Sequence, residues 1–143
     1  MLALGKEEGM REIRFRAKKI DSDEWVYGGG VWIFKQHENK TALFGEDTHG
    51  HPVLHIVKPE TVGQFTGLYD RQNKEIWEGD ICKCFYIMSN DPFIGIIFWS
   101  NSGAQFKVKD KNESAGALLY YNMTCEVIGN VHENPELLQG AKP

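Results

Sequence analysis

The sequence has little of what would declare a chemistry at sight. Cysteine is scarce, with three in 143 residues. Three thiols cannot all pair within one chain, and Cys82 and Cys84, two apart, would share a strand face without disulfide geometry. The simplest expectation is a reduced, cytosolic setting. Long apolar runs are absent. The longest, Phe93 to Trp99, has seven residues, against roughly 18 for a membrane-spanning helix, so no membrane partner is expected. No cationic excess exists either: 16 basic and 20 acidic side chains give a net charge of −4, which supplies no global attraction to phosphate backbones. No G-x-S-x-G elbow surrounds Ser89, Ser100, Ser102 or Ser114, and no phosphate-cradling G-x-x-x-x-G-K-[ST] occurs. Gly28, Gly29 and Gly30 read as a bend between strands. Catalytic and cofactor-binding residues are therefore expected to be none.

What is present is β patterning. Ile13, Phe15 and Ala17 alternate with Arg14, Arg16 and Lys18, the period of a half-buried strand. Asp21 to Asp23 make a turn. Trp25 to Tyr27 and Val31 to Phe34 are extended runs on either side of the triglycine. The polar stretch from Lys35 to Gly50 reads mostly as loop. Pro52 leads into a strand over Val53 to Val57, which Pro59 ends, and Gln64 to Tyr69 is another extended piece. Turns at Asp70 to Lys74 and Glu78 to Asp80 bracket Ile76 and Trp77.

Ile81 to Met88 and Phe93 to Trp99 are apolar on both faces, as in strands covered on both sides. Gln105 to Lys109 and Ala117 to Tyr121 continue an antiparallel meander, with Asp110 to Gly116 a polar loop between them. Glu126 to His132 is the last strand. Asn134-Pro135-Glu136 starts a helical turn, with Asn134 as N-cap and Leu137 and Leu138 fastening it to the body. The fold class predicted is mainly β, a partly open SH3-like barrel with additional strands and a short C-terminal helical turn. Residues 1–9 are expected to be a poorly ordered leader or tag, 10–139 a single domain and 140–143 a tail.

Three segments carry a family resemblance. They are Met10 to Ala17 (MREIRFRA), Gln64 to Asp70 with Asn73 to Ile81 (QFTGLYD and NKEIWEGDI), and Glu126 to Leu138 (EVIGNVHENPELL). Together they resemble the YopX family, small proteins of bacteriophages, prophages and their bacterial hosts. The resemblance implies a β-rich fold with an SH3-like barrel, Met10 as the start and a host cytoplasm as the setting. It assigns no activity and no catalytic residue. In one departure, Ala17 is followed by Lys18 and Lys19, where the family's opening segment often continues to an Asp.

Four clusters compete for a functional role. Glu46, Asp47, His49, His51 and His55 are residue types that bind zinc and similar metals, although Gly50 and Pro52 break the strand that would align them. A solvated loop is the plainer account, and a metal-dependent enzyme built there is the third-ranked function. Cys82, Cys84 and Cys125, with His132 as a fourth ligand, are spaced too tightly for a zinc knuckle and read as buried core thiols. Glu75, Glu78 and Asp80 form either a carboxylate site or, preferably, a folded corner in which Gly79 takes positive φ and Asp80 accepts amides. Arg11, Arg14, Arg16, Lys18 and Lys19 make a basic stripe on the solvent face of the first strand, near Trp25, Tyr27 and Trp32. Phosphate contacts and base stacking need such a combination, so Arg14, Arg16 and Lys18 are the candidate nucleic-acid contacts. The first expectation is nevertheless a non-enzymatic binding or assembly module. It would act through contacts with an unknown protein partner or through self-association, with nucleic-acid binding the alternative.

Overall fold

The computed structural model describes residues 11–36, 38–112, 117–118 and 123–139. In chain order these form β1 (Phe15–Lys18), β2 (Trp25–Phe34), β3 (Lys40–Glu46), β4 (Pro52–Val57), a 3-10 turn (Pro59–Thr61), β5 (Gly63–Tyr69), β6 (Glu75–Trp77), β7 (Asp80–Tyr86), β8 (Phe93–Ser100), β9 (Gln105–Asp110), β10 (Ala117–Leu118), β11 (Met123–Asn130) and α1 (Glu136–Gln139). The mainly β class and the short C-terminal helix are as predicted. Among the described residues no helix is long and apolar enough to cross a membrane. The leader at 1–9, the start at Met10, the tail at 140–143, Ser114 and residues 119–121 of the expected last meander strand lie outside the described residues. The chain divides into two compact units, Met1–Gly67 and Leu68–Pro143.

In the first unit the strands follow the order β4-β3-β2-β1-β5, all antiparallel. Ala17 lies opposite Val26. Together with Leu43 and Val57 they make the core, against which Phe15 and Val62 pack. Two expectations need correction here. The stretch from Lys35 to Gly50 is not mostly loop, because Lys40–Glu46 is a strand whose Thr41, Ala42 and Leu43 are buried. Being paired on both sides, β3 takes its stability from two ladders rather than from a long apolar run. The triglycine is no bend either: β2 runs through it, with a bulge between Gly28 and Gly30. Gly28 faces Gly45. A Cβ on Gly28 would stand 1.6 Å from the Phe44 carbonyl oxygen, and one on Gly45 would stand 2.4 Å from that of Tyr27. Only two glycines let the backbones approach so closely.

The sheet then curls. Lys19 bridges Val57, the Ile20 amide donates to the Ile56 carbonyl at 3.0 Å, and the Lys58 amide donates to Lys18 at 2.9 Å. The Thr61 hydroxyl accepts from the Lys18 amide (2.8 Å) and donates to the Lys58 carbonyl (2.7 Å), and Lys58 pairs with Asp23. These contacts bring β4 to β1 through a bridge rather than a ladder, and the described residues form no closed barrel.

β5 crosses from the first unit into the second between Gly67 and Leu68, and β6 stands next to it in the strand order. The rest of the second unit is a sheet of order β10-β9-β8-β7-β11. The predicted meander is its β7 to β10 part. Ile76, Cys82, Cys84, Ile97, Val108, Met123 and Cys125 form its core. β7 ends at Tyr86, so Ile87 and Met88 project from a turn. Coverage of β8 is partial: Gly95 and Ile97 are buried, while Trp99 is exposed. Aromatic size explains the continuous apolar run, because Phe98 receives the Lys109 ammonium at 4.9 Å and Trp99 meets Phe106 edge to face at 5.0 Å.

Side-chain acceptors fix the corners of this unit. Asp80 Oδ2 accepts the Trp77 amide at 2.8 Å, and Gly79 takes φ 91°, which is the predicted folded corner. Asp70 Oδ1 accepts the Gln72 and Lys74 amides, both at 2.8 Å, and Oδ2 accepts the Val127 amide at 2.9 Å. The Arg71 amide donates to the Cys125 carbonyl at 2.9 Å. The Asp70–Lys74 turn thereby clasps the outer edge of β11. At the C-terminal turn the Asn134 side chain accepts the Asn130 amide at 3.2 Å, and its carbonyl accepts from Leu137 at 3.0 Å. Asn134 thus ties the turn back to β11. Leu137 sits against Gly129, fastening the helix to the body as expected.

Candidate binding face

Arg14, Arg16 and Lys18 share one face of β1, as alternation requires, but they are not a solvent-facing stripe. Arg16 is only 8% exposed. Its guanidinium lies 4.6 Å from the centre of the Trp25 ring, and the Lys18 ammonium lies 5.4 Å from the same ring. The Arg14 guanidinium is 4.6 Å from the buried Phe65 ring, and its Nε lies 2.7 Å from Glu12 Oε1. The physical reason is that long cationic side chains lie flat on neighbouring aromatics, burying their stems and gaining cation–π attraction. Alternation distinguishes the two faces of a strand but says nothing of which face is covered.

Beyond these inlaid cations, the same side of the sheet carries three rings and a leucine exposed to solvent. Tyr27 is 49% exposed, Trp32 57%, Phe44 47% and Leu54 44%. Phe44 stands opposite Leu54 across the β3–β4 ladder, close enough for direct contact on one face. Trp32 stands opposite Ala42 on β2–β3. Tyr27 and Trp32 are among the aromatics singled out in the sequence. Phe44 is not, because β3 reads as loop, and Leu54, on the predicted strand β4, is not because its partner across the ladder is Phe44. The period-two placement of Ala42 and Phe44 is the signal that could have found them. A groove of about 780 Å³ adjoins this face, with Arg14, Trp25, Tyr27, Phe44, Glu46 and Asp47 in its walls. Its ionic character is mixed.

The histidine cluster resolves into turn geometry. Asp47 Oδ1 accepts the His49 and His51 amides at 2.8 and 2.9 Å, and Oδ2 lies 3.3 Å from His51 Nδ1. The His51 amide, then that of His49, holds the Asp47 carboxyl below its ordinary value. His55 Nε2 faces the Glu46 carbonyl at 3.4 Å. Cys82, Cys84 and Cys125 are buried free thiols, and Cys84 Sγ is 3.2 Å from Cys125 Sγ. His132 is not with them, since it borders the Gly79 corner. Among the described residues no group of three or more His, Cys, Asp or Glu is placed to hold a metal ion. Ser89 accepts the Asp91 amide, and Ser100 and Ser102 hydroxyls lie 3.3 Å apart in a turn.

The chain is similar to a crystal structure of protein EF1440 from Enterococcus faecalis, at 24% identity and a TM-score of 0.49, over 90% of this chain and 99% of that one. No curated protein matches it. The family model described as YopX protein matches residues 14–139, a range that holds the central and C-terminal signatures and the Arg14–Ala17 part of the opening one, and the chain belongs to that family.

Proposed function

We propose that the protein is a non-enzymatic binding module that works through protein–protein contacts, with self-association as the first case. The observation that carries this reading is the exposure of Tyr27, Trp32, Phe44 and Leu54 on one face of β2, β3 and β4. Rigid aromatics bury large areas at little conformational cost and dominate the energetics of protein interfaces. Arg14, Arg16 and Lys18 support it indirectly: already laid on Trp25 and Phe65, they offer less to a phosphate chain than a free stripe would. A phage or prophage setting and a host cytoplasm are what the family resemblance implies for it.

Light scattering over a concentration series tests this. We expect a mass above that of the monomer at high concentration, and a monomer for the Trp32→Ser, Phe44→Ser double variant. A wild-type protein that stays monomeric, yet binds labelled single-stranded DNA in a salt-dependent way that Arg14→Ala and Arg16→Ala abolish, would instead establish the nucleic-acid alternative.

A further inference from the structure

Three thiols share one face of the second unit's sheet. Cys82 and Cys84 are two apart on β7. Cys125 on β11 is the cross-strand partner of Cys84, whereas Cys82 stands opposite Val127. Cys84 Sγ and Cys125 Sγ are 3.2 Å apart among Ile76, Ile97 and Met123. Directly opposed residues of an antiparallel pair have Cα atoms about 4.5–5.5 Å apart, within the reach of a disulfide. Side chains two apart on one strand project in parallel and do not meet that geometry. β11 is also an end strand of its sheet, and its ladder to β7 is irregular between Val127 and Gly129. Besides the bonds from Asp70 and Arg71, only one ladder holds it, and its separation is the kind of local opening that admits small solutes to a core.

We propose that Cys84 and Cys125 form an oxidative modification site at which a hydroperoxide converts the two thiols into one cross-strand disulfide. The Cys125 thiolate attacks a peroxide oxygen. The O–O bond breaks, the alcohol (water, from hydrogen peroxide) leaves, and Cys125 becomes a sulfenic acid. Cys84 then gives up its proton and attacks Cys125 Sγ. The S–S bond forms, the S–O bond breaks and water departs. Two thiols lose two electrons and two protons, and the peroxide gains them. Cys125 goes first because hydrogen bonding to its sulfur from the neighbouring thiols, with Cys84 Sγ 3.2 Å away, lowers its pKa against burial. The same pairing, with burial, raises those of Cys82 and Cys84. Cys82 remains a thiol. The Asp70 carboxylate and Arg71 amide, bonded to Val127 and Cys125 on the open side of β11, gate the reaction by holding that strand in place.

The sequence makes the test direct, because Lys83 separates Cys82 from Cys84 on trypsin digestion. The full chain is treated with hydrogen peroxide, alkylated, digested and mapped by mass spectrometry. The expected product joins the peptides 84–107 and 112–143 (trypsin does not cleave between Lys142 and Pro143), lighter by two hydrogens and cleaved by dithiothreitol, with Cys82 alkylated. Cys82→Ser keeps this product, and Asp70→Asn forms it several-fold faster. A link through Cys82, over-oxidised Cys125 without a link, or three alkylated thiols under conditions that consume free N-acetylcysteine would overturn the site. An unchanged rate in Asp70→Asn overturns the gate.

Discussion

The two units are both antiparallel sheets over a small apolar core, yet they finish their surfaces differently. The first relies on backbone proximity and on cations laid over rings. Gly28 and Gly45 let β2 and β3 close together, Arg14, Arg16 and Lys18 cover Trp25 and Phe65, and the remaining rings stay open. The second relies on sulfur in its core and on carboxylates at its corners, where Asp70 and Asp80 accept four backbone amides between them. A face left aromatic can bind, whereas an edge satisfied by a carboxylate resists opening. On the readings proposed above, the first unit would serve recognition and the second would carry thiol chemistry in its core.

The sharpest way to break this contrast is at the glycines. Gly28→Val forces a side chain into the Phe44 carbonyl and is expected to cost about 4 kcal/mol or more, measured by urea denaturation with hydrogen exchange to localise the loss to the first unit. Gly29→Ala, whose Cβ meets nothing within 4 Å, should change stability by no more than about 0.5 kcal/mol. Equal costs at the two positions would mean that close strand approach is not what the first unit depends on. In the second unit, Ile97→Ala removes a fully buried side chain and should cost about 2–5 kcal/mol by the same assay.

Asp70→Asn should cost about 1–2 kcal/mol, since it weakens charge-assisted bonds to the turn and to Val127. This contribution depends on pH. Burial opposes ionisation of Asp70, but the Val127, Lys74 and Gln72 amides and the Lys74 charge outweigh it and hold the pKa below the ordinary carboxylate value. A folded pKa below the unfolded one stabilises fully above the unfolded value, about 3.9. That stability is lost as pH falls through the folded value. Acid titration of wild type and Asp70→Asn should therefore converge at low pH and diverge above about pH 5. Convergence at neutral pH would remove Asp70 from the list of clasps. The smallest expected effect is on the open face, where Trp32→Ser should shift stability by no more than about 0.5 kcal/mol while lowering the associated mass seen in light scattering.

Much of the fold was legible because short-range chemistry dictates it. Alternation gave β1 and β9, Pro52 and Pro59 bracketed β4, and Glu78-Gly79-Asp80 specified a corner through one positive φ and one carboxylate. β3 was not legible, since its stability comes from neighbours distant in sequence. The strand character of the triglycine was hidden because glycine signals freedom, and only the facing Gly45 shows that closeness is its purpose. For the candidate face, Tyr27, Trp32 and the three cations were named from the sequence. The cover over Arg16 and the presence of Phe44 and Leu54 depend on register between strands, which residue patterns alone do not encode.

The single bridge from Lys19 to Val57 has a further consequence for whether copies of this protein can polymerise strand to strand. It occupies the C-terminal half of the rim of β4, leaving Pro52 to His55 as its open stretch among the described residues. That stretch is about 13 Å long and begins with an imino acid that has no amide proton to offer. A foreign strand laid there would find too few bonding positions to hold it, so the first unit can present exposed rings without also inviting runaway polymerisation through its backbone.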